Sequence, residues 1–262
     1  MNNSFDNFLD SAGKALEVAP KLYDDAISPT AKELGKTIAL VPQAINASLS
    51  SVRQWIAHKE YNVSQTEILL AEKLKNVDPN KIVSPEPYVA VPALQAISYS
   101  MDNYQLRNLY ANLLANSMNS DTKNNVLPCF VEIIKQLSPL DAQVFQYIYS
   151  HEINPLIHLK QSFTKDKGFN ILVRNVTLIN LAPVSQIAIC IDNLTRLNLI
   201  EVPADGSYTQ KSHYDSFRTL DIYKHYLAMF SNTSSSELKI DEKVILKTEI
   251  GKLFYDICVK EG

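Results

Sequence analysis

Two arginine–histidine pairs come closest to a catalytic arrangement in this sequence. Arg53 and His58 lie in "RQWIAH", and Arg218 and His225 lie in "RTLDIYKH". A histidine can transfer a proton near neutral pH, and an arginine can stabilise negative charge that develops in a transition state, so each pair could take part in acid–base catalysis. Pairs at these spacings also arise by chance. The favoured interpretation is therefore that they are ordinary side chains near the ends of helices.

The pair Arg53 and His58 resembles the motif of HEPN-type ribonucleases, a family common in bacterial antiviral systems. That resemblance implies an RNA-cleaving effector in which His58 transfers the proton and Arg53 stabilises the transition state. A small polar residue usually follows the arginine in that family, whereas Gln54 stands here. A ribonuclease is therefore kept as an alternative, and the sequence favours a protein that is not an enzyme.

The sequence lacks the common motifs for cofactors and metals. It contains 6 glycines, and it has no glycine-rich phosphate loop, no H-E-x-x-H segment and no G-x-S-x-G segment. Its cysteines, Cys129, Cys190 and Cys258, lie far apart without a C-x-x-C pair, and His151 and His158 have no matching pair of carboxylates. We therefore predict no cofactor and no metal site.

The bulk composition is that of a globular protein without a general affinity for polyanions. The 262 residues are 46% hydrophobic and carry a net charge of −3. Neither half of the chain is basic, so nothing draws the whole protein to nucleic acid or to anionic lipid. The sequence has no secretion signal and no run of about 18 apolar residues, and it predicts a cytoplasmic protein.

Two amphipathic helical patterns occupy the N-terminal part of the chain, at residues 3–27 and 31–59. The second pattern carries most of its positive charge at its two ends and small polar residues in its middle. Helices that bind a membrane surface usually carry more charge on the polar face. The pattern favours bundle packing or self-association. A membrane-disrupting effector, which becomes peripheral to the membrane on activation, is kept as an alternative.

The chain is predicted to be helical in its first two thirds and mixed in its last third. The pattern there predicts a strand at 169–179, a helix at 184–197, short strands at 199–202 and 244–247, a helical insertion at 214–230 and a final helix. This order is typical of a winged helix. We predict a mainly α protein, with an N-terminal helical bundle over residues 1–137 and a C-terminal winged-helix-like module with a small β hairpin over residues 138–262.

The helix at 184–197 would be the recognition helix if this module bound DNA. Gln186, Asn193 and Arg196 are its side chains that could reach base edges and phosphates. Arg196 is the only basic residue of that helix, and Asp192 lies beside it. Nucleic-acid binding is therefore kept as an alternative to an interaction with protein.

The segment "NYQLRNLYANLLANSMN", which begins at Asn103, combines leucines and asparagines at helical spacing. Its leucines follow a helical stripe, and Asn108, Asn112 and Asn116 stand four apart beside it. Since asparagine is a poor helix former, at a cost of about 0.6 kcal/mol per site relative to alanine, these amides need partners. We predict that they bind the backbone of the preceding proline-rich connector, and that Asp102 caps this helix.

Two stretches of this region resemble the Abi-alpha (abortive infection alpha) family of bacterial proteins. They are "EPYVAVPALQAISYSMDNYQLRNLYANLLANSMN" and "VLPCFVEIIKQLSPLDAQVF". The resemblance is close over residues 79–145 and loose elsewhere, and it carries over no catalytic residue. The matching positions are Pro92 in the first turn of a helix, Asp102, Leu106, Tyr110, Asn112, Leu113, Asn116, and Pro139 after the capping residue Ser138.

The resemblance implies a role in bacterial defence against phage. We expect the protein to act without catalysis, through protein–protein recognition or self-assembly, and to cause growth arrest or death of the infected cell. Its partner would be a protein such as a phage component, or a second copy of the chain. In this hypothesis the C-terminal module is the sensor, and the helical region changes conformation.

Overall fold

The computed structural model describes residues 45, 63–100, 103–163, 168–231 and 236–260. Over these residues the chain is mainly α, with a small amount of antiparallel sheet. None of the helices described there is long and apolar enough to cross a membrane. The described residues form two compact units, one with residues 45, 63–99 and 110–128 and the other with residues 100, 103–109, 129–163, 168–231 and 236–260. The boundary at residue 138 stays a prediction.

Several residues that the sequence singled out lie outside the described part of the chain. They are Arg53, His58 and Asp102. The amphipathic patterns at residues 3–27 and 31–59 also lie outside it, apart from Ile45, which is helical and buried.

The first unit contains α1 (Val63–Leu74), α2 (Pro87–Tyr99) and the second half of α3 (Tyr104–Ser117), with short 3₁₀ turns at Pro79–Lys81 and Lys123–Asn125. Helix α2 begins at Pro87, so Pro92 lies inside it. The placement of Pro92 in the first turn was wrong, because Pro87 takes that position. Pro92 leaves the carbonyl of Tyr88 without its helical N–H donor.

The proline-rich connector between α1 and α2 is attached to the end of α3 by its backbone. The N–H of Val83 donates to the carbonyl of Met118 at 2.8 Å, and the N–H of Ser120 donates to the carbonyl of Lys81 at 2.9 Å. The Lys81 ammonium also lies 2.7 Å from the Asp121 carboxylate. The connector is therefore an ordered part of this unit, as its apolar residues require.

The asparagine-bearing helix α3 begins just after its capping residue, Asn103. The Asn103 side chain accepts a hydrogen bond from the N–H of Leu106 at 3.1 Å, which is the N-cap geometry that was expected of Asp102. Asn112 is buried, and the amide of Asn116 donates to the carbonyl of Asn112 at 3.1 Å, one turn earlier. Contacts between these amides and the connector stay a prediction.

The second unit contains the first half of α3, followed by α4 (Cys129–Lys135) and α5 (Pro139–Ser150). The capping box before α5 is present: the Ser138 hydroxyl accepts from the N–H of Asp141 at 3.1 Å, and the Asp141 carboxylate accepts from the N–H of Ser138 at 2.7 Å. Pro139 occupies the first turn, as predicted.

The further elements of this unit follow α5 along the chain. They are β1 (Pro155–Phe163), β2 (Phe169–Thr177), α6 (Val184–Arg196), β3 (Ile200–Glu201), a 3₁₀ segment (Lys211–Thr219), α7 (Asp221–Phe230), β4 (Ser236–Val244), β5 (Leu246–Lys247), α8 (Glu249–Phe254) and a π-helical turn (Tyr255–Val259).

The larger sheet has the order β2-β1-β4, with both pairs antiparallel. One face carries Ile157 and Leu159, which are buried against Tyr214 and Phe217 of the 3₁₀ segment. The other face carries His158 and four charged side chains of β4, namely Glu237, Lys239, Asp241 and Lys243, whereas Glu242 lies opposite Ile157. The strand predicted at 169–179 is confirmed, whereas β1 and the length of β4 were missed, so the small hairpin of the prediction is only part of the sheet structure.

The short strands predicted at 199–202 and 244–247 do pair with each other. Ile200 lies opposite Lys247, and Glu201 lies opposite Leu246. The predicted helical insertion between them is present as the 3₁₀ segment and α7. The helix predicted at 184–197 is α6, with buried Ile187, Cys190, Ile191 and Leu194 along one side.

Three elements of the second unit meet at the carbonyl of Leu199, just after α6. The buried Tyr149 hydroxyl of α5 donates to it at 2.8 Å, and the Thr248 hydroxyl lies 3.1 Å from it. Thr248 also caps α8, because its hydroxyl accepts from the N–H of Gly251 at 3.0 Å. Burial raises the pKa of Tyr149 to about 12, so the hydroxyl stays protonated. We call Tyr149, Leu199, Thr248 and Gly251 the Leu199 junction.

We predict that Gly251→Ala destabilises the protein strongly. A β-carbon at Gly251 would overlap the carbonyl oxygen of Leu199 and the hydroxyl of Tyr149, and overpacking of this kind costs about 3 kcal/mol. Helix propensity alone would have the opposite sign, since alanine is favoured over glycine by about 1 kcal/mol. The matched control is Gly168→Ala, whose β-carbon would meet only the Phe163 ring at 3.8 Å. Urea unfolding measures both variants, and equal stabilities would contradict the packing described here.

Candidate functional site

A surface groove of about 530 Å³ lies between the start of α5 and the exposed side of α6. The three residues predicted to contact nucleic acid, Gln186, Asn193 and Arg196, all line it. Its other lining residues are Ser138, Leu140, Asp141, Ile189, Cys190 and Asp192. The structure therefore brings the predicted residues of α6 together with the cap of α5, which the sequence did not connect to them.

Asn193 is the centre of the polar contacts in this groove. Its amide nitrogen donates to the Asp141 carboxylate and to the Gln136 carbonyl, each at 3.0 Å. Its amide oxygen accepts from the Arg196 guanidinium at 2.7 Å. Because Asp141 is buried and also caps α5, Asn193 joins the last turn of α6 to the beginning of α5.

The contacts of Arg196 turn its guanidinium toward the protein. One of its nitrogens donates to the side-chain oxygen of Gln136 at 2.9 Å, and two others donate to Asn193. The carboxylates of Asp141 and Asp192 line the same groove. A phosphate would meet these two negative charges, and Arg196 would have to give up its hydrogen bonds to receive it. This arrangement gives little support to DNA readout by α6.

The apolar part of the groove is unusually accessible. Ile189 on α6 is 66% exposed, and Leu140 on α5 is partly exposed opposite it. A branched aliphatic side chain gains free energy when a partner covers it, at about 25 cal/mol per Å² of buried apolar surface. The groove thus offers an apolar contact beside hydrogen-bonding groups.

Cys190 lies in the wall of the groove and is suited to packing. Burial, together with the neighbouring Asp141 carboxylate, raises the pKa of its thiol to about 12. A nucleophilic cysteine needs the opposite environment, one that stabilises the thiolate. The exposed Cys129 also has a raised pKa, owing to partial burial. These environments argue against cysteine catalysis.

A second polar cluster surrounds His158 in β1, which the sequence treated as an ordinary surface histidine. Its Nδ1 accepts a hydrogen bond from the N–H of Asn175 at 3.1 Å, and the Asn175 amide donates to Asp192 of α6 at 2.6 Å. Burial lowers the pKa of His158, although the opposing Asp241 partly offsets this effect. With Nδ1 occupied and the proton assigned to Nε2, the ring has no free lone pair for general-base catalysis.

The described family-motif positions are distributed along the helices and form no catalytic constellation. Tyr110, Asn112 and Leu113 are buried, and Pro92, Leu106, Asn116 and Pro139 are partly buried. No cluster of potential metal ligands occurs within the described residues. The burial of these positions indicates that they shape the helices.

Comparisons with known proteins identify one relationship. A family model described as abortive infection alpha matches residues 58–258. No curated protein and no solved structure matches the chain. The matched range begins at His58, so Arg53 lies outside it.

We predict that Asn193→Ala destabilises the protein by about 1–3 kcal/mol. The substitution removes a donor from the buried Asp141 carboxylate and the acceptor that holds Arg196, and such losses cost this much when a partner stays buried. Gln186→Ala is the matched control, because Gln186 is an exposed residue of the same groove and surface substitutions change stability by less than about 0.5 kcal/mol. Chemical denaturation with equal losses for both variants would contradict the role assigned to Asn193.

We also predict that alkali destabilises the protein partly through Cys190. The thiol pKa is raised from 9.0 to about 12, so between these values the unfolded chain loses a proton that the folded chain keeps. Stability is therefore complete below pH 9 and falls as the pH rises, by about 2 kcal/mol at pH 10.5 from this thiol. Cys190→Ala should flatten the dependence of the unfolding free energy on pH, and Cys129→Ala should change it less. Parallel curves for wild type and Cys190→Ala would contradict the prediction.

Proposed function

Because the chain belongs to the abortive infection alpha family, we propose that it defends bacteria against phage through protein–protein recognition. The module that begins near residue 138 binds a phage component in the cytoplasm. Binding changes the conformation of the helical region, residues 1–137, and the infected cell stops growing or dies. The family supports the defence role, and the groove between α5 and α6 supports the mode of recognition.

The groove is the observation that carries this proposal. It pairs the exposed Ile189 with amide and carboxylate groups, whereas Arg196 is already held by the protein. A polar rim around an apolar anchor fits a segment of another protein. The alternatives of phosphate binding at α6 and of thiol catalysis require groups that this groove does not supply.

We propose further that residues 138–262 form a winged-helix-like module. Two features support this: α5 and α6 pack together, and α6 leads directly into the paired strands β3 and β5. Along the chain, the β1–β2 hairpin lies between α5 and α6, and β4 comes directly before β5, the second strand of the β3–β5 pair. In this scheme α6 keeps the place of a recognition helix but binds protein.

Self-assembly of the N-terminal helices, with or without contact to a membrane, is the step that we propose to follow recognition. Its basis is the amphipathic sequence pattern of residues 3–27 and 31–59, with small residues in the middle of the second segment. Small residues allow helices to approach closely.

We predict that Ile189→Asp abolishes protection against phage while the fold is kept. A charge at the centre of an apolar contact must be desolvated on binding, so the affinity for the partner falls by at least about tenfold. The measurement is the efficiency of plating on cells that carry each variant. The matched control is Leu227→Asp on α7, which introduces the same charge at another exposed leucine and should protect as wild type does.

Equal thermal stability and equal cellular amounts of the two variants establish that folding is not the cause. Full protection by Ile189→Asp would contradict the proposal. RNA integrity in the same infected cultures tests the ribonuclease alternative. If RNA is cleaved in cells with the wild-type protein and stays intact in cells with His58→Ala, the mode of action is RNA cleavage and the recognition proposal is wrong.

A further inference from the structure

The outer face of the larger sheet carries a cluster of positive charge that the groove does not use. We define the cationic sheet face as Lys160 of β1, Phe169 and Arg174 of β2, and Lys239 and Lys243 of β4. From this face we infer that the protein binds single-stranded nucleic acid, with the cations contacting phosphates and Phe169 stacking on a base.

The pairing of the strands places these residues on one face. Lys160 lies opposite Lys239, and Ser162, two residues further along β1, lies opposite Phe169. Directly paired residues share a face, and so do residues two apart in a strand. Strand β2 is irregular beyond Ile171, where both Leu172 and Val173 pack against the core. Arg174 is assigned to the outer face because its charge acts on His158, which lies on that face. The cationic sheet face is therefore the side turned away from Tyr214 and Phe217.

Positive charge exceeds negative charge on this face. The Lys160 and Lys243 ammonium groups share one carboxylate, that of Asp241, at 2.7 and 3.5 Å. Lys239 lies 2.7 Å from Glu237. Arg174 is exposed and makes no ion pair with any residue that the structure describes. Four cations thus stand against two carboxylates.

The shared carboxylate is the important feature of this charge balance. The side chains of Lys160 and Lys243 are only 22% and 13% exposed, so water screens them less than it screens a surface lysine. The Lys243 ammonium also donates to the carbonyl of Ala204, but that group carries no net charge. A single carboxylate therefore does not neutralise both cations, and a phosphate beside them would supply the missing charge. The chain as a whole carries negative net charge. Its negative groups that lie more than a Debye length, about 10 Å, from this face are screened by salt and do not weaken the local attraction for a phosphate.

An exposed aromatic ring lies within the same face. Phe169 is 56% exposed, and the Lys160 ammonium lies 4.3 Å from the centre of its ring. Bases of single strands stack on such rings while nearby cations follow the backbone, which is how sheet platforms bind single-stranded nucleic acid. A duplex offers no accessible base face, so stacking on Phe169 favours a single strand.

The dimensions of this face suit a short stretch of single strand. From Phe169 to Arg174 it extends about 16 Å along β2, and from β2 to β4 it extends about 10 Å across the strands. This accommodates two to three nucleotides, roughly, which is the number of bases that the aromatic side chains of an RRM sheet stack. The site is separate from the groove between α5 and α6, and it does not rest on the proposed mode of recognition.

The experiment measures binding of a fluorescein-labelled 20-nucleotide single-stranded RNA of mixed sequence to the full-length protein by fluorescence anisotropy. We expect binding that weakens about tenfold between 50 and 200 mM salt, as release of two to three counterions requires. The double variant Arg174→Glu/Lys239→Glu should lower the affinity at least about tenfold. Phe169→Ala should lower it about tenfold at both salt concentrations, because stacking depends little on salt.

The matched control is Lys135→Glu/Lys252→Glu, which makes the same change in net charge at two exposed lysines of other elements. It should bind RNA as wild type does, and all variants must show the thermal midpoint of the wild type. Equal losses for the control and the Arg174/Lys239 variant would overturn the inference, since only net charge would then matter. Absence of RNA binding, equal affinity for duplex DNA, or tighter binding of poly-glutamate than of RNA would overturn it as well, the last in favour of an acidic protein partner.

Discussion

The second unit of this protein depends on one carbonyl group. The oxygen of Leu199 accepts a hydrogen bond from the Tyr149 hydroxyl, 50 residues away along the chain. It also lies 3.1 Å from the Thr248 hydroxyl, 49 residues away, which donates to the neighbouring carbonyl of Asn198 at 2.6 Å. A hydrogen bond of this kind contributes only about 1 kcal/mol, but the contact fixes where α5, α6 and α8 meet. This arrangement requires glycine at position 251, because a β-carbon there would overlap both the Leu199 carbonyl oxygen and the Tyr149 hydroxyl. Closing such long loops is an entropic cost that buried packing around the junction must offset.

The groove follows from this constraint. The Leu199 junction holds the chain just after α6, and Asn193 holds the last turn of α6 through Asp141 and Gln136. Two attachments prevent α6 from rotating, so Ile189 remains on the outside while Ile187 and Ile191 remain in the core. The apolar exposure of Ile189 is thus maintained by polar contacts elsewhere on the same helix. A recognition surface gains from this rigidity, because little conformational entropy is lost when a partner binds.

Local signals in the sequence were sufficient for some elements and insufficient for others. The capping box at Ser138, helix α6 and the pair β3–β5 follow from residue types within a few positions of each other. Strand β1 pairs with β4 about 80 residues away, and a partner at that distance leaves no mark in the local pattern. In the groove, α6 was recognised as the helix with exposed polar residues. Its partners Gln136 and Asp141 were missed, because their role appears only when α5 and α6 are packed together.

The charges of β4 also have a consequence for the behaviour of the protein in a crowded cell. Within the described residues β4 is an outer strand of the larger sheet, and four of its charged side chains, Glu237, Lys239, Asp241 and Lys243, alternate with Leu238, Ile240, Glu242 and Val244 on the opposite face. Another β strand that approached this edge would have to desolvate these charges, so adventitious strand pairing between copies is disfavoured. A defence protein must persist harmlessly until infection, and this edge guards the resting population against aggregation.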